Sequence, residues 1–98
     1  MEKKSYILLF RPLRSDFIQT MTDHEKQVMG AHAAYLQGLA RDGVLVMAGH
    51  CEKDPFGISI VSVNSEDEAN AIMAKDPVVT EKIMDVEVKA WRTTFAAK

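Results

Sequence analysis

Among 98 residues, three histidines, one cysteine and fourteen carboxylates are the groups able to move protons, attack a carbon centre or bind a metal. Their spacing decides between those chemistries. At about 100° per residue, Val28, Met29, Tyr35, Leu36, Leu39 and Ala40 fall within one helical arc of about 140°. Lys26, Gln37 and Arg41 lie opposite, and His32 sits near the middle of the apolar arc. A helix built only for packing would carry leucine there. An imidazole on a buried face needs a partner for its ring N–H, and burial disfavours its charged form. Two readings are open: a hydrogen-bonded core histidine, or a general base facing a pocket between helix and sheet. Asp76 is the partner by residue type, because a carboxylate bonded to imidazole fixes the tautomer and stabilises the protonated ring. An aspartate before Pro77 is equally a good N-cap for a following turn, and one residue can fill both roles.

His50, Cys51 and Asp54 form a second cluster. Neighbouring strand residues point to opposite faces, and His24 lies two helical turns from His32 rather than one, so the spacing does not describe a metal site and no metal is expected. His50 continues the face of Val46 and Ala48, where it would contact a ligand or a second copy of the chain. Tyr6 and Phe56 are the aromatic candidates for the same ligand contact. The chain has no glycine-rich phosphate loop, GxSxG elbow or CxxC pair, and no cofactor is expected.

Composition narrows the partners. A hydrophobic share of 47%, a charged share of 27% and a net charge of -2 describe a globular chain and exclude disorder and disulfide-rich scaffolds. The slight acidity argues against nucleic acid, and Tyr6 and Phe10 lack the flanking pattern of an RNA-recognition module. The basic cluster of Lys3, Lys4, Arg11 and Arg14 reads as a solvated edge. Cys51 alone excludes an intrachain disulfide and fits a reducing compartment. The apolar run Tyr6–Phe10 is too short for a signal-peptide core, and no stretch is long enough to span a membrane; the expected location is cytoplasmic.

The elements that must position these residues are legible. Ser5–Arg11 reads as a first strand stopped by Pro12, followed by a connection over 12–21. Thr22 and Glu25 have the capping-box spacing for a helix from Asp23 to about Asp42, ended by Gly43. Strands are expected over Val44–His50 and Ile58–Val63, separated by the turn chemistry of 51–57. Ser65 and Glu68 open a second helix that Asp76-Pro77 breaks near Lys75, and Asp85–Thr93 is the last strand. The order βαββαβ over a single domain, 1–98, is an α+β, ferredoxin-like arrangement: a four-stranded antiparallel sheet with two helices on one face.

Two helices cover one face only, yet the strands do not alternate apolar with polar. Ile7 and Leu9 oppose Tyr6, Leu8 and Phe10; Ile58 and Ile60 oppose Val61 and Val63; Leu45 and Met47 oppose Val44, Val46 and Ala48. A solvated face would carry polar residues at half these positions. The economical cover is the same face of another copy, so a homodimer through the helix-free sheet face is expected.

Several segments resemble the YCII-related family. They are His32 through Gly49 (HAAYLQGLARDGVLVMAG), the acidic helix start Ser65-Glu-Asp-Glu-Ala69, the motif Asp76-Pro77-Val78-Val79, and the closing Glu87-Val-Lys-Ala-Trp91. The resemblance extends over residues 28–92. It implies a ferredoxin-like fold of the dimeric α/β-barrel group and an active-site dyad that lands on His32 and Asp76. It also implies chemistry of the kind some relatives perform, the elimination of hydrogen chloride from chlorinated hydroxyquinols. The wider group includes lactone isomerases and monooxygenases. His50 stands where the family more often has proline.

The expected function is therefore a small cofactor-independent enzyme, a lyase or isomerase acting on a cyclic or aromatic-derived metabolite. His32 would abstract a proton, Asp76 would orient it, and His50, Tyr6 and Phe56 would bind substrate. The alternative is a non-catalytic small-molecule-binding or interaction module on the same dimeric fold.

Overall fold

The computed structural model describes residues 2–97, so the two ends of the expected domain, Met1 and Lys98, lie outside the described residues. The elements run β1 (Lys4–Pro12), α1 (Phe17–Thr20), α2 (Asp23–Arg41), β2 (Leu45–His50), β3 (Gly57–Val63), α3 (Glu66–Lys75), α4 (Pro77–Thr80) and β4 (Met84–Trp91). The strands form one antiparallel sheet in the order β2-β3-β1-β4. This is the ferredoxin-like α+β topology that the βαββαβ order implies.

Local chemistry sets the helix ends. The Thr22 hydroxyl accepts from the Glu25 backbone N–H and the Glu25 carboxylate accepts from the Thr22 N–H, a closed capping box that starts α2. At its other end Gly43 adopts φ +77, and the N–H groups of Gly43 and Val44 donate to the carbonyls of Ala40 and Leu39. That paired closure is the Schellman motif, and its left-handed position explains the glycine. Ser65 caps α3 by accepting from the Glu68 N–H.

The core lies between the sheet and the helices. Tyr6, Leu8 and Phe10 of β1 and Val61 and Val63 of β3 pack with Val28 of α2, Ala69 of α3 and Val78 of α4. On the other face, Ile7, Leu9, Ile58 and Ile60 are half-buried with no helix over them, and Met47 beside them is 58% exposed. Most of this apolar surface lies on β1, β2 and β3, and β4 adds Trp91 at its end, 43% exposed and paired with Ser5. Edge strand β4 alternates Val86 and Val88 with the exposed Glu87 and Lys89.

Two local expectations are corrected. The connection over 12–21 contains a short helix, α1, because Phe17 has a core site to fill and is 1% exposed. Val44 precedes β2, and within β2 Val46 does not share the face of Ala48 and His50. An irregularity between Leu45 and Met47 pairs Leu45 with Val61 and Ala48 with Ser59, which puts Leu45, Ala48 and His50 on the helix side. The extra residue of a bulge resets the two-residue period, and Val46 is left 56% exposed. No helix among the described residues is long and apolar enough to cross a membrane.

Candidate active site

Asp76 occupies the junction of α3 and α4 and serves both. Its backbone N–H donates to the Met73 carbonyl at the end of α3, while one carboxylate oxygen accepts from the Val78 N–H at the start of α4. Pro77 suits the first position of α4, where no N–H is needed. Capping pulls the carboxylate inside the protein: Asp76 is 1% exposed. A charge so buried needs more than one backbone donor.

His32, on α2, supplies the rest. Its Nδ1 lies 2.8 Å from both carboxylate oxygens of Asp76. A carboxylate only accepts, so Nδ1 carries the hydrogen and donates it. In the neutral ring, Nε2 is then the unprotonated nitrogen, with a lone pair free to accept a proton. The edge-to-face ring of Phe10, 5.3 Å away between centroids, fixes the plane of the imidazole from the sheet side. One turn further along α2, the Tyr35 hydroxyl donates to the Ile72 carbonyl at 2.7 Å and ties α2 to α3. Burial, with the nearby Asp76 charge, pushes the Tyr35 pKa upward, so it remains a donor.

Beside His32 lies a cavity of about 340 Å³ between α2 and the β2–β3 half of the sheet, a volume suited to a small organic ligand. Its walls are largely apolar, with Phe10, Met29, Leu36, Phe56, Ile58 and Met84 among them. Its floor is made of small residues, Ala48, Gly57 and Ser59. Asp54 is the acidic residue on the rim, and no lysine or arginine lines the cavity among the described residues.

Two surface interactions shape the mouth. Arg14 grips Glu25 through two hydrogen bonds of 2.7 and 2.8 Å, bonds the hydroxyl and carbonyl of Thr20, and lies over the Phe17 ring. That clamp holds α1 against the start of α2, with Ile18 at the cavity edge. Arg11 lies 5.5 Å over the ring of Phe56 and braces it from outside.

The structure brings His32, His50 and Phe56 to one cavity, with Asp76 bonded to His32 and outside the lining. Tyr6 is not brought there. It shares the strand face of Phe10 but lies four residues away, 6% exposed within the core and outside the cavity lining. No group of three or more metal-ligating side chains occurs among the described residues. Sequence reasoning missed Ser59. The signal was present in the helix-facing register of β3, where Val63 and Val61 give way to Ser59 and Gly57 as the strand runs under the cavity.

Residues 6–92 match the family model of the YCII-related domain. No curated protein matches the chain. Among solved structures, the chain is similar to 5-chloro-2-hydroxyhydroquinone dehydrochlorinase from Burkholderia phenoliruptrix, in complex with 2,5-dihydroxybenzoquinone. That similarity has a TM-score of 0.66 at 22% identity and covers 89% of this chain and 93% of that one. It is also similar to SnoaB, a cofactor-independent oxygenase from Streptomyces nogalater, with a TM-score of 0.51 at 12% identity over 98% and 97% of the two chains. At these identities the two structures speak for the fold.

Proposed function

The chain belongs to the YCII-related domain family, and from that premise we propose that it is a small-molecule enzyme working by proton abstraction without a cofactor. The observation that carries the reading is the 2.8 Å contact of His32 Nδ1 with the carboxylate of Asp76. Asp76 holds Nδ1–H, which leaves the basic Nε2 for a ligand in the adjoining cavity. A cyclic or aromatic-derived substrate fits the apolar walls.

In the elimination we propose, Nε2 takes a proton from a substrate hydroxyl or carbon. A hydroxyl's pair becomes a ring carbonyl as the proton is returned to the carbon bearing the leaving group. Loss of a second hydroxyl proton then forms a second carbonyl while the leaving group departs with its bonding pair. A proton taken from a tetrahedral carbon instead leaves its pair as the new C=C bond directly. Asp76 stabilises the imidazolium formed, and the proton returns to solvent or product. In an isomerisation the same proton is delivered to a second carbon. His50 and Phe56 contact the substrate at the β2–β3 side. The dehydrochlorinase among the structural neighbours makes a chlorinated hydroxylated ring a reasonable first probe.

The proposal includes a single cytoplasmic domain that pairs with a second copy through its helix-free sheet face. The half-buried Ile7, Leu9, Ile58 and Ile60, with the exposed Met47, support that pairing. Nucleic acid is not proposed as a partner.

The enzymatic reading is tested by chloride release from 5-chloro-2-hydroxyhydroquinone and by proton exchange on a panel of hydroxylated rings. Turnover that depends on His32 and Asp76 supports it. Turnover indifferent to both residues overturns it.

A further inference from the structure

Ser59 lies at the centre of the cavity floor, on an inner strand, with Ala48 opposite on β2 and Leu8 opposite on β1. The residue is 1% exposed, and it lines the cavity that His32 also lines. Among the described residues no protein group bonds its hydroxyl, whereas no side-chain polar atom sealed from solvent lacks a partner. The small exposed part of Ser59 is therefore its hydroxyl, and it opens on the cavity.

The hydroxyl faces the cavity with its donor and acceptor uncommitted to the protein, where an alanine like the neighbouring Ala48 would complete the same apolar floor. We propose that Ser59 is a ligand-binding residue, whose hydroxyl hydrogen-bonds a neutral oxygen substituent of the bound molecule on the floor of the cavity. It deepens the proposed function by specifying substrate chemistry, and it rests on the cavity being a ligand site, not on His32 acting as a base.

The surroundings restrict the oxygen. A serine hydroxyl donates or accepts, so a ring hydroxyl and a ring carbonyl both suit it. A carboxylate or phosphate does not: the lining carries no lysine or arginine, and Asp54 adds negative charge at the rim. An anionic group would enter largely apolar walls without a fixed positive partner. The ligand class is an uncharged or weakly acidic ring bearing at least one hydroxyl or carbonyl, small enough for about 340 Å³.

Amide NMR titration with hydroquinone under argon, with 4-hydroxybenzoate as the anionic comparison, tests this. Hydroquinone is expected to shift the amide signals around Ser59 and His32 and to bind more tightly than 4-hydroxybenzoate. Ser59→Ala is expected to weaken hydroquinone about tenfold, the worth of one hydrogen bond. It is also expected to leave the ligand-free Tm unchanged or raised. The titration reads binding without turnover, so a failed proton transfer leaves these shifts and affinities in place and a failed Ser59 contact is seen separately. Four results overturn the inference: no shift at Ser59 in the unaltered chain, equal affinity in Ser59→Ala, tighter binding of 4-hydroxybenzoate, or a ligand-free Tm lowered by several degrees, which would mean that the hydroxyl is engaged within the protein.

Discussion

His32 Nδ1 is equidistant, at 2.8 Å, from the two oxygens of a carboxylate that also caps α4. The arrangement separates two roles of Asp76 that substitution can resolve. In Asp76→Asn the side-chain oxygen still accepts from Val78, so the fold persists, but the amide no longer stabilises an imidazolium. In Asp76→Ala both roles go. Asp76→Asn is expected to lose activity with little change in Tm, and Asp76→Ala to lose activity together with about 1–3 kcal/mol of stability. Activity and thermal melts on the two variants check this.

Glu25 supplies a pH signature away from the site. Its hydrogen bonds to Arg14, followed by the Thr22 N–H, hold its pKa down at about 2 from an ordinary 4.5. A carboxyl with a depressed folded-state pKa stabilises the fold above its unfolded value, and that stability is lost as pH falls from 4.5 through about 2. The Tm advantage of the unaltered chain over Glu25→Gln is expected to be constant above pH 5 and to shrink below it. Parallel melts from pH 7 to pH 2.5 read this directly.

Gly57 sets how closely β2 approaches β3 beside the cavity. A Cβ there would stand 2.8 Å from the Gly49 carbonyl oxygen and 3.3 Å from the Cβ of His50. The first contact is with backbone and cannot swing aside. Gly57→Ala is expected to push the end of β2 outward, move His50, and cost about 1–3 kcal/mol. Amide shifts confined to residues 48–51 with a lowered Tm would agree; an unperturbed spectrum would not.

The exposed sheet face gives an assembly prediction. Ile60, half-buried on central strand β3, pairs with Ile7 on one side and Met47 on the other. A charge there would be buried unpaired between two copies. Sedimentation at micromolar concentration is expected to show a dimer, and Ile60→Lys a folded monomer. A monomer in the unaltered chain contradicts the proposed pairing.

Much of this organisation is written in local chemistry. Thr22 with Glu25, Gly43, and Asp76 with Pro77 announce helix ends because caps depend on residues three or four positions apart. His32 stands out because one polar side chain interrupts an apolar arc. What escaped depends on contacts between strands. The irregularity in β2 arises from pairing with β3, so the faces of Leu45 and Val46 could not be read from a two-residue period. Tyr6 and Phe10 have the same type and the same face. Only the position of the cavity along the sheet sends one to the site and the other to the core. Ser59 was hidden for a related reason: a serine in a strand looks solvent-facing until its register places it under α2.

His32, oriented by Asp76, is proposed to take a proton from a ligand in the adjoining cavity. The most direct measurement compares the initial rate of chloride release from 5-chloro-2-hydroxyhydroquinone, under argon, by the unaltered chain, His32→Ala and Asp76→Asn. Release well above buffer is expected for the unaltered chain, with a loss of about 10²-fold or more in each folded variant. Equal rates in the unaltered chain and His32→Ala would contradict it.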